Sequence, residues 1–355
     1  MQTILITGGA GFVGSNLAIQ LKQKYPKYTV ICLDNLKRRG SELNLSRLKL
    51  HEIEFIHGDI RDKHDFDQVQ VPVDCVIEAA AEPSVLAGLN GQTDYLIDTN
   101  LNGTINALNF ALRHKASFVF LSTSRVYPIR TIENIRVEET ATRFEISAQQ
   151  SIPGVSRNGI SELFPLAGSR SLYGATKLAS ELMVEEFHEM FGLKTVINRC
   201  GVLTGPHQMG KVDQGVVVLW MARHFWKKSL SYVGYGGLGK QVRDLLHIND
   251  LFDIVDRQMH HISHYDGQIF NIGGGRKVSA SLQELTHFCQ EISGNTISIE
   301  SIAETRKADI RLYVSDCSRI HDLAGWEPQR SVQEIMTDIY DWIRENEHQL
   351  KPILS

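Results

Sequence analysis

The chain has 355 residues, 42% of them apolar and 22% charged, with a formal net charge of -4. That length allows one large domain or two unequal ones, and the mixed charge argues against a nucleic-acid binder, which carries a basic face. Five scattered cysteines (Cys32, Cys75, Cys200, Cys289, Cys317) form no CxxC pair, which speaks against a disulfide framework or zinc site and fits a reducing cytosol. No stretch has the apolar length of a membrane span, and the start lacks the pattern of a signal peptide, so no membrane partner and a cytoplasmic location are expected.

In chain order, "TILIT" (3–7) reads as a first strand and is followed by a glycine cluster and a helical pattern from Phe12 to about Tyr25. "TVICLD" (29–34), "IEFIHGD" (53–59) and "DCVIEA" (74–79) read as the next strands. A helical stretch covers about 93–114, and "SFVFLST" (117–123) is a fifth strand. Residues 128–170 break the rhythm, being long, polar and without clear periodicity, as a functional loop would be. A helix over 171–191 leads into the strand "KTVINRC" (194–200). Short β-rich runs separated by helices predict βαβ units and a parallel sheet covered on both faces: an α/β, Rossmann-type, doubly wound fold. In the second half, "SLQE" (281–284) and "SVQE" (331–334) are capping boxes that open helices. The apolar positions Leu282, Leu285 and Phe288, then Ile335, Ile339 and Trp342, suit a smaller C-terminal domain.

The glycine cluster "TGGAGFVGSN" sits between a strand and a helix, with Gly8, Gly11 and Gly14 at a GxxGxxG spacing. Such a turn lets the backbone approach a pyrophosphate, which then rests on the free N–H groups at the helix start, Phe12 and Val13. Asp34 ends the second strand, where a carboxylate accepts from ribose hydroxyls and repels a 2′-phosphate. That favours NAD over NADP, although Lys37, Arg38 and Arg39 follow closely.

"SLYGATKLASE" (171–181) places Tyr173 and Lys177 four residues apart, on one helix face. A phenol has a pKa of about 10, too high for a base at neutral pH. A nearby ammonium and an oxidised nicotinamide would stabilise the phenolate. Tyr173 could then take a hydroxyl proton while hydride leaves the adjacent carbon for NAD. "LSTSRVY" (121–127) offers Ser122, Thr123 and Ser124 at a strand's carboxyl end, where α/β sheets bind ligands. The histidines His260, His261 and His264 end an amphipathic helix and read as dipole partners rather than metal ligands; no metal is expected.

With these pieces in place the chain resembles the extended short-chain dehydrogenase/reductase family, among its nucleotide-sugar epimerases and dehydratases. The matching stretches include the glycine loop, "GDIRD" (58–62), "NLNGTINAL" (100–108), "YGATK" (173–177), "GKQVRDLLHINDL" (239–251), "FNIGGG" (270–275) and "RKADIR" (306–311). The resemblance implies Tyr173 as base, Lys177 as its partner and Thr123 as the orienting hydroxyl. It implies Asp59 and Ile60 beside the adenine, with Asn35, Ala79, Ala80, Ala81 and Asn100 completing the cofactor site. Arg243 and Arg306 would grip the sugar-nucleotide diphosphate, with Ser124, Arg125, Gln214, Gln241 and Asp309 as further substrate contacts. It also implies an NAD-binding domain over 1–200 and about 240–275, with 128–170 as an active-site insertion. A nucleotide-sugar-binding domain of mixed α/β type would take about 201–239 and 276–355. The helices 93–114 and 171–191 would form a homodimer or homotetramer interface.

The dehydratases of this family carry Asp-Glu after the threonine; here Ser124 and Arg125 stand there. A branch acting at C2 of CDP-paratose and CDP-tyvelose is similar in "EETATRF" (138–144), "ISELF" (160–164), "DQG" (213–215) and "GKQVRD" (239–244). By that likeness the enzyme would oxidise C2 of a nucleotide-linked hexose and return hydride to the other face of the keto-sugar. A 4-epimerase and a non-catalytic NAD-binding sensor are the rival readings. Pro128, Glu78 and Glu82 depart from the family pattern, at positions where a glycine, a histidine and a neutral residue are common.

Overall fold

The computed structural model describes residues 2–89, 91–210 and 214–355. The chain begins β1 (Thr3–Thr7), α1 (Phe12–Lys24), β2 (Thr29–Asp34), α2 (Asn44–Leu50), β3 (Glu54–His57), β4 (Cys75–Glu78). There follow α3 (Asp94–Ile97), α4 (Gly103–His114), β5 (Ser117–Thr123), α5 (Ile129–Glu133), β6 (Val137–Glu139), β7 (Phe144–Ile146), β8 (Val155–Ser156) and β9 (Gly159–Ile160). The middle holds α6 (Leu172–Phe191), β10 (Thr195–Cys200), β11 (Val202–Thr204), α7 (Val216–Phe225), β12 (Leu230–Val233) and β13 (Val242–His247). Next come α8 (Ile248–His260), α9 (Ile262–Tyr265), β14 (Gln268–Ile272), β15 (Ser279–Ser281), α10 (Leu282–Ser293) and β16 (Ile299–Ile302). The chain ends with β17 (Leu312–Tyr313), α11 (Ser318–Ala324), α12 (Val332–Glu345) and α13 (Glu347–Leu354).

Seven strands form one sheet in the order β14-β10-β5-β4-β1-β2-β3. Neighbours around β1 are parallel, with Ile4 opposite both Val30 on β2 and Cys75 on β4. The order reverses beside β1, which makes the carboxyl ends of β1 and β4 the switch point where such sheets take ligands. Helices cover both faces, so these strands read as unbroken apolar runs rather than alternating ones. One face is filled by Leu5, Val76, Phe118, Phe120 and Ile197, packed with Ala107, Leu108 and Ala111 of α4 and Val184 of α6. Expected strand and helix limits hold to within two residues. One expectation differs: the helix over 93–114 is not uniform, because Asp98–Asn102 winds as a π segment between α3 and α4. A π turn inserts one extra residue per bond and is a recurrent feature of functional sites.

Two compact units make up the chain. The first takes the described residues of Met1–Val126, Leu172–Arg199 and Leu251–Ile269; the second takes those of Tyr127–Ser171, Cys200–Asp250 and Phe270–Ser355. The boundary departs from the expected one over 128–170, about 240–250 and 270–275, the first two for a local reason. The stretch 128–170 belongs to the second unit because its hairpins bond there: Phe144 N–H donates to the Lys240 carbonyl and Ile160 N–H to that of Val314. Strand β13 also belongs to the second unit, where it pairs with β11, β15 and β17. In that unit α7, α10 and α12 pack on one another around Trp220, Met221, Ile335, Ile339 and Trp342. The two capping boxes are present: Ser281 with Glu284 on α10, and Ser331 with Glu334 on α12.

Candidate active site

The glycine loop joins β1 to α1. Gly8 has φ +64°, a left-handed conformation, and a Cβ there would lie 2.8 Å from the Ala80 Cα. A Cβ on Gly14 would lie 2.3 Å from the Gly8 carbonyl oxygen, so the helix start is pressed onto the loop. Gly11 is the N-cap of α1; no side chain caps the helix and no acid occupies its first turn, which begins with Phe12 and Val13. These N–H groups are left for an anion, and the cradle fits a dinucleotide pyrophosphate.

Asp34, at the end of β2, has a role that sequence alone did not suggest. Its carboxylate accepts from the Ala10 N–H (3.1 Å) and the Leu36 N–H (2.7 Å), bracing the glycine loop while keeping further acceptor capacity. Burial pushes its pKa up, against those backbone hydrogen bonds. Asn35 donates to Asp59 at 2.8 Å, and the Arg61 guanidinium donates to both Asp59 oxygens at 2.9 and 2.7 Å. Burial alone would raise Asp59, but the bonds from Arg61 and Asn35 outweigh it and hold it down at about 2. Ile60 is buried, and a Cβ on Gly103 of α4 would lie 2.5 Å from its Cδ1. Ala79, Ala80 and Ala81 are half-buried and follow β4 directly.

Thr123 closes β5, and its hydroxyl accepts from the Arg125 N–H at 3.2 Å; Ser124 and Arg125 begin a single 3-10 turn. Tyr173 and Lys177 occupy the first turns of α6, 9% and 1% exposed. The Lys177 ammonium lies 4.0 Å from the Phe120 ring centroid and 3.8 Å from a Glu78 carboxylate oxygen. Glu78 is fully buried; burial pushes it up to about 7, with Lys177 opposing.

Asn100 sits in the π segment and ties two elements together. Its side chain accepts from the Glu82 N–H (2.8 Å) and donates to the Glu82 carbonyl (3.1 Å) and to Thr176 Oγ1 (3.2 Å). Its carbonyl accepts from the Ser180 hydroxyl at 2.7 Å. The segment bearing Glu82 and the helix bearing Tyr173 are thus held by one residue. The sequence reading missed a second support. Glu181 is buried, accepts from Ser122 at 2.5 Å, and accepts from Arg199 at 2.7 and 3.1 Å. The signal was available, since Glu181 lies one turn beyond Lys177 on the face it shares with Tyr173.

In the second unit, Arg243 donates to Asp309 at 2.9 Å and to the carbonyls of Val242 and Ile310 at 2.8 and 2.6 Å. Arg306 is exposed, and its carbonyl accepts from the Asp309 N–H. Gln241 is buried and donates to the Val233 carbonyl at 2.8 Å, tying the residue just before β13 to the end of β12. Gln214 is half-buried just before the Gly215 N-cap of α7, whereas Asp213 of the "DQG" stretch lies outside the described residues. His260 is hydrogen-bonded to the Tyr28 hydroxyl at 2.9 Å. Among the described residues no group of three or more His, Cys, Asp or Glu could hold a metal, and no helix is long and apolar enough to cross a membrane.

The profile of the NAD dependent epimerase/dehydratase family matches residues 4–273. The chain is 31% identical to the CDP-paratose 2-epimerase of Salmonella typhi, over 96% of this chain and 98% of that one. It is 27% identical to the UDP-glucose 4-epimerase of Halalkalibacterium halodurans, over 97% and 96%. Among solved structures, the dTDP-glucose 4,6-dehydratase DesIV of Streptomyces venezuelae, with NAD and TYD bound, superposes with a TM-score of 0.79 at 27% identity, covering 99% of each chain. NAD is the cofactor of this group, and the glycine cradle, the open start of α1 and Asp34 fit it. The chain therefore belongs to the NAD-dependent epimerase/dehydratase family.

Proposed function

We propose that the protein is an epimerase of a nucleotide-linked hexose, acting at C2 of a CDP-sugar of the paratose and tyvelose type. The observation that carries this reading is the complete set Thr123, Tyr173 and Lys177, with Ser124 and Arg125 after the threonine. Without paired carboxylates there, removal of water has no acid and base. The likeness to the CDP-paratose 2-epimerase supports C2 and the CDP group.

In this reading Gly8, Gly11, Phe12 and Val13 hold the pyrophosphate on their backbone, Asp34 and Asn35 the ribose, and Asp59 and Ile60 the adenine. Ala79, Ala80, Ala81, Asn100, Tyr173 and Lys177 bound the nicotinamide end. When bound, NAD supplies a reversible two-electron acceptor for the sugar carbon. Tyr173 takes the proton from the sugar hydroxyl and later returns it; Lys177 stabilises the phenolate and Thr123 orients the hydroxyl. Arg243 and Arg306 take the diphosphate, with Ser124, Arg125, Gln214, Gln241 and Asp309 around the nucleotide sugar. The enzyme works in the cytoplasm in carbohydrate biosynthesis, including that of lipopolysaccharide. It does so as a homodimer or homotetramer; Leu182, Met190 and Phe191, exposed on α6, support such an interface.

The test is incubation with a panel of CDP-, UDP- and GDP-hexoses, following the C2 and C4 configurations by NMR in deuterated solvent. Inversion at C2 of a CDP-hexose, with no deuterium on carbon, is expected. Inversion at C4 alone makes the protein a 4-epimerase, and carbon-bound solvent deuterium sinks the redox mechanism.

A further inference from the structure

Glu78 has no place in the chemistry above, yet it sits under the centre of it. It ends β4, where the register sets it beside Thr7 of β1 and Phe120 of β5. Its side chain is fully buried, and among the described residues neither carboxylate oxygen has a hydrogen-bond partner. An unsatisfied buried carboxylate is costly, so its retention in a core strand calls for a reason. The charged group that faces it is Lys177, 3.8 Å away on α6. Among the described residues, the other elements packed on β4 bring no competing charge to it. Thr7 and Phe120 are uncharged, and the π segment places Thr99 and Asn100 in the buried layer. On α4 the charged residues are at the far end, where His114 accepts from the Val73 N–H before β4 begins. Glu181, one turn past Lys177, is already paired with Arg199. Lys177 itself is caught between the Phe120 ring and Glu78.

We propose that Glu78 is a positioning residue that acts through Lys177, fixing the buried ammonium and setting by its own charge how strongly that ammonium stabilises the Tyr173 phenolate. The inference rests on the assignment of Tyr173 and Lys177 as base and partner. Protonated, Glu78 leaves the full field of Lys177 acting on the phenol. Ionised, it offsets part of that field, making the phenol a weaker acid but holding the ammonium more firmly. Burial has brought its pKa to about 7, so both forms are populated near neutral pH.

The test reads the phenol directly and needs no sugar substrate. The ultraviolet difference spectrum of NAD-loaded enzyme against its Tyr173→Phe variant is titrated with pH, in the wild-type and Glu78→Gln backgrounds. A neutral, near-isosteric amide should lower the phenolate midpoint by about one pH unit, roughly tenfold in phenolate population on the acid side. Superimposable curves overturn the proposal. A second measurement covers a Glu78→Gln variant that fails to fold. In wild-type enzyme carrying labelled glutamate, the Glu78 carboxyl resonance is assigned by its loss in Glu78→Asp. It should titrate near neutrality and move to higher pH in Lys177→Met, and absence of any titration between about pH 5 and about pH 9 also overturns the proposal. A phenolate shift without turnover of any nucleotide sugar would uphold this inference while removing the epimerase reading.

Discussion

Gly14→Ala is a sharp test of the cofactor cradle because two effects of similar size oppose each other. Gly14 lies in the first turn of α1, and replacing a helical glycine by alanine ordinarily stabilises by about 1 kcal/mol. Here the new Cβ would meet the Gly8 carbonyl oxygen at 2.3 Å, the Gly8 carbonyl carbon at 2.8 Å and the Gly9 Cα at 2.8 Å. All three are backbone atoms, so no rotamer change relieves the contact. Overpacking of this kind costs about 1–3 kcal/mol, and the loop must move to accommodate it. Since the loop's close approach is what would bind pyrophosphate, NAD affinity should fall about 10- to 100-fold, at about 1.4 kcal/mol per decade. Calorimetric titration with NAD compares the variant with the wild type, with circular dichroism to establish that each is folded. If Gly14→Ala binds NAD as tightly as wild type, the claim that the helix start is pressed onto the loop is wrong.

Tyr173→Phe should retain NAD affinity and lose about 10²- to 10⁴-fold in kcat, the ordinary contribution of a positioned base; near-normal turnover would remove Tyr173 from the role. Glu181→Ala should cost about 3–5 kcal/mol in urea unfolding, because it strands the buried Arg199 guanidinium; a loss no larger than that of an average surface substitution would show that the network is not holding α6. Asp59 is held at about 2 in the folded chain, below the usual carboxylate value of about 4. A depressed carboxylate contributes stability above its unfolded value, lost as pH falls through the folded one. Asp59→Asn should therefore flatten the stability curve between about pH 4 and about pH 2, and an unchanged slope there would count against the Arg61 clamp.

Much of the first unit was legible because burial on both faces leaves a simple mark. Strands such as Thr3–Thr7 and Ser117–Thr123 are unbroken apolar runs closed by polar residues, and those closing residues, Asp34 and Thr123 among them, are functional candidates. The glycine spacing and the Tyr173–Lys177 pair were legible because each needs only local geometry. The π segment was not, since a change from i+4 to i+5 bonding leaves the apolar pattern of 93–114 nearly unaltered. The short hairpins within 128–170 were hidden for the opposite reason. Strands of two or three residues, such as Val155–Ser156, are too brief to show a period of two. Strand β13 reads as an ordinary buried strand, and its sheet follows from partners distant in the sequence: β11, β15 and β17.

The seven-stranded sheet is assembled from separated stretches of chain, and this constrains how the molecule is made. Strand β10, buried along its whole length, has β14 as its outer neighbour, and β14 begins only at Gln268. During synthesis the growing chain would carry β10 as an open edge until those residues emerge, together with α8 and α9 just before them. A fragment ending near Asp250 would contain the glycine loop, Tyr173 and Lys177 yet lack the strand that closes the sheet. Such a fragment should recruit chaperones or aggregate rather than stand as a separate dinucleotide-binding module.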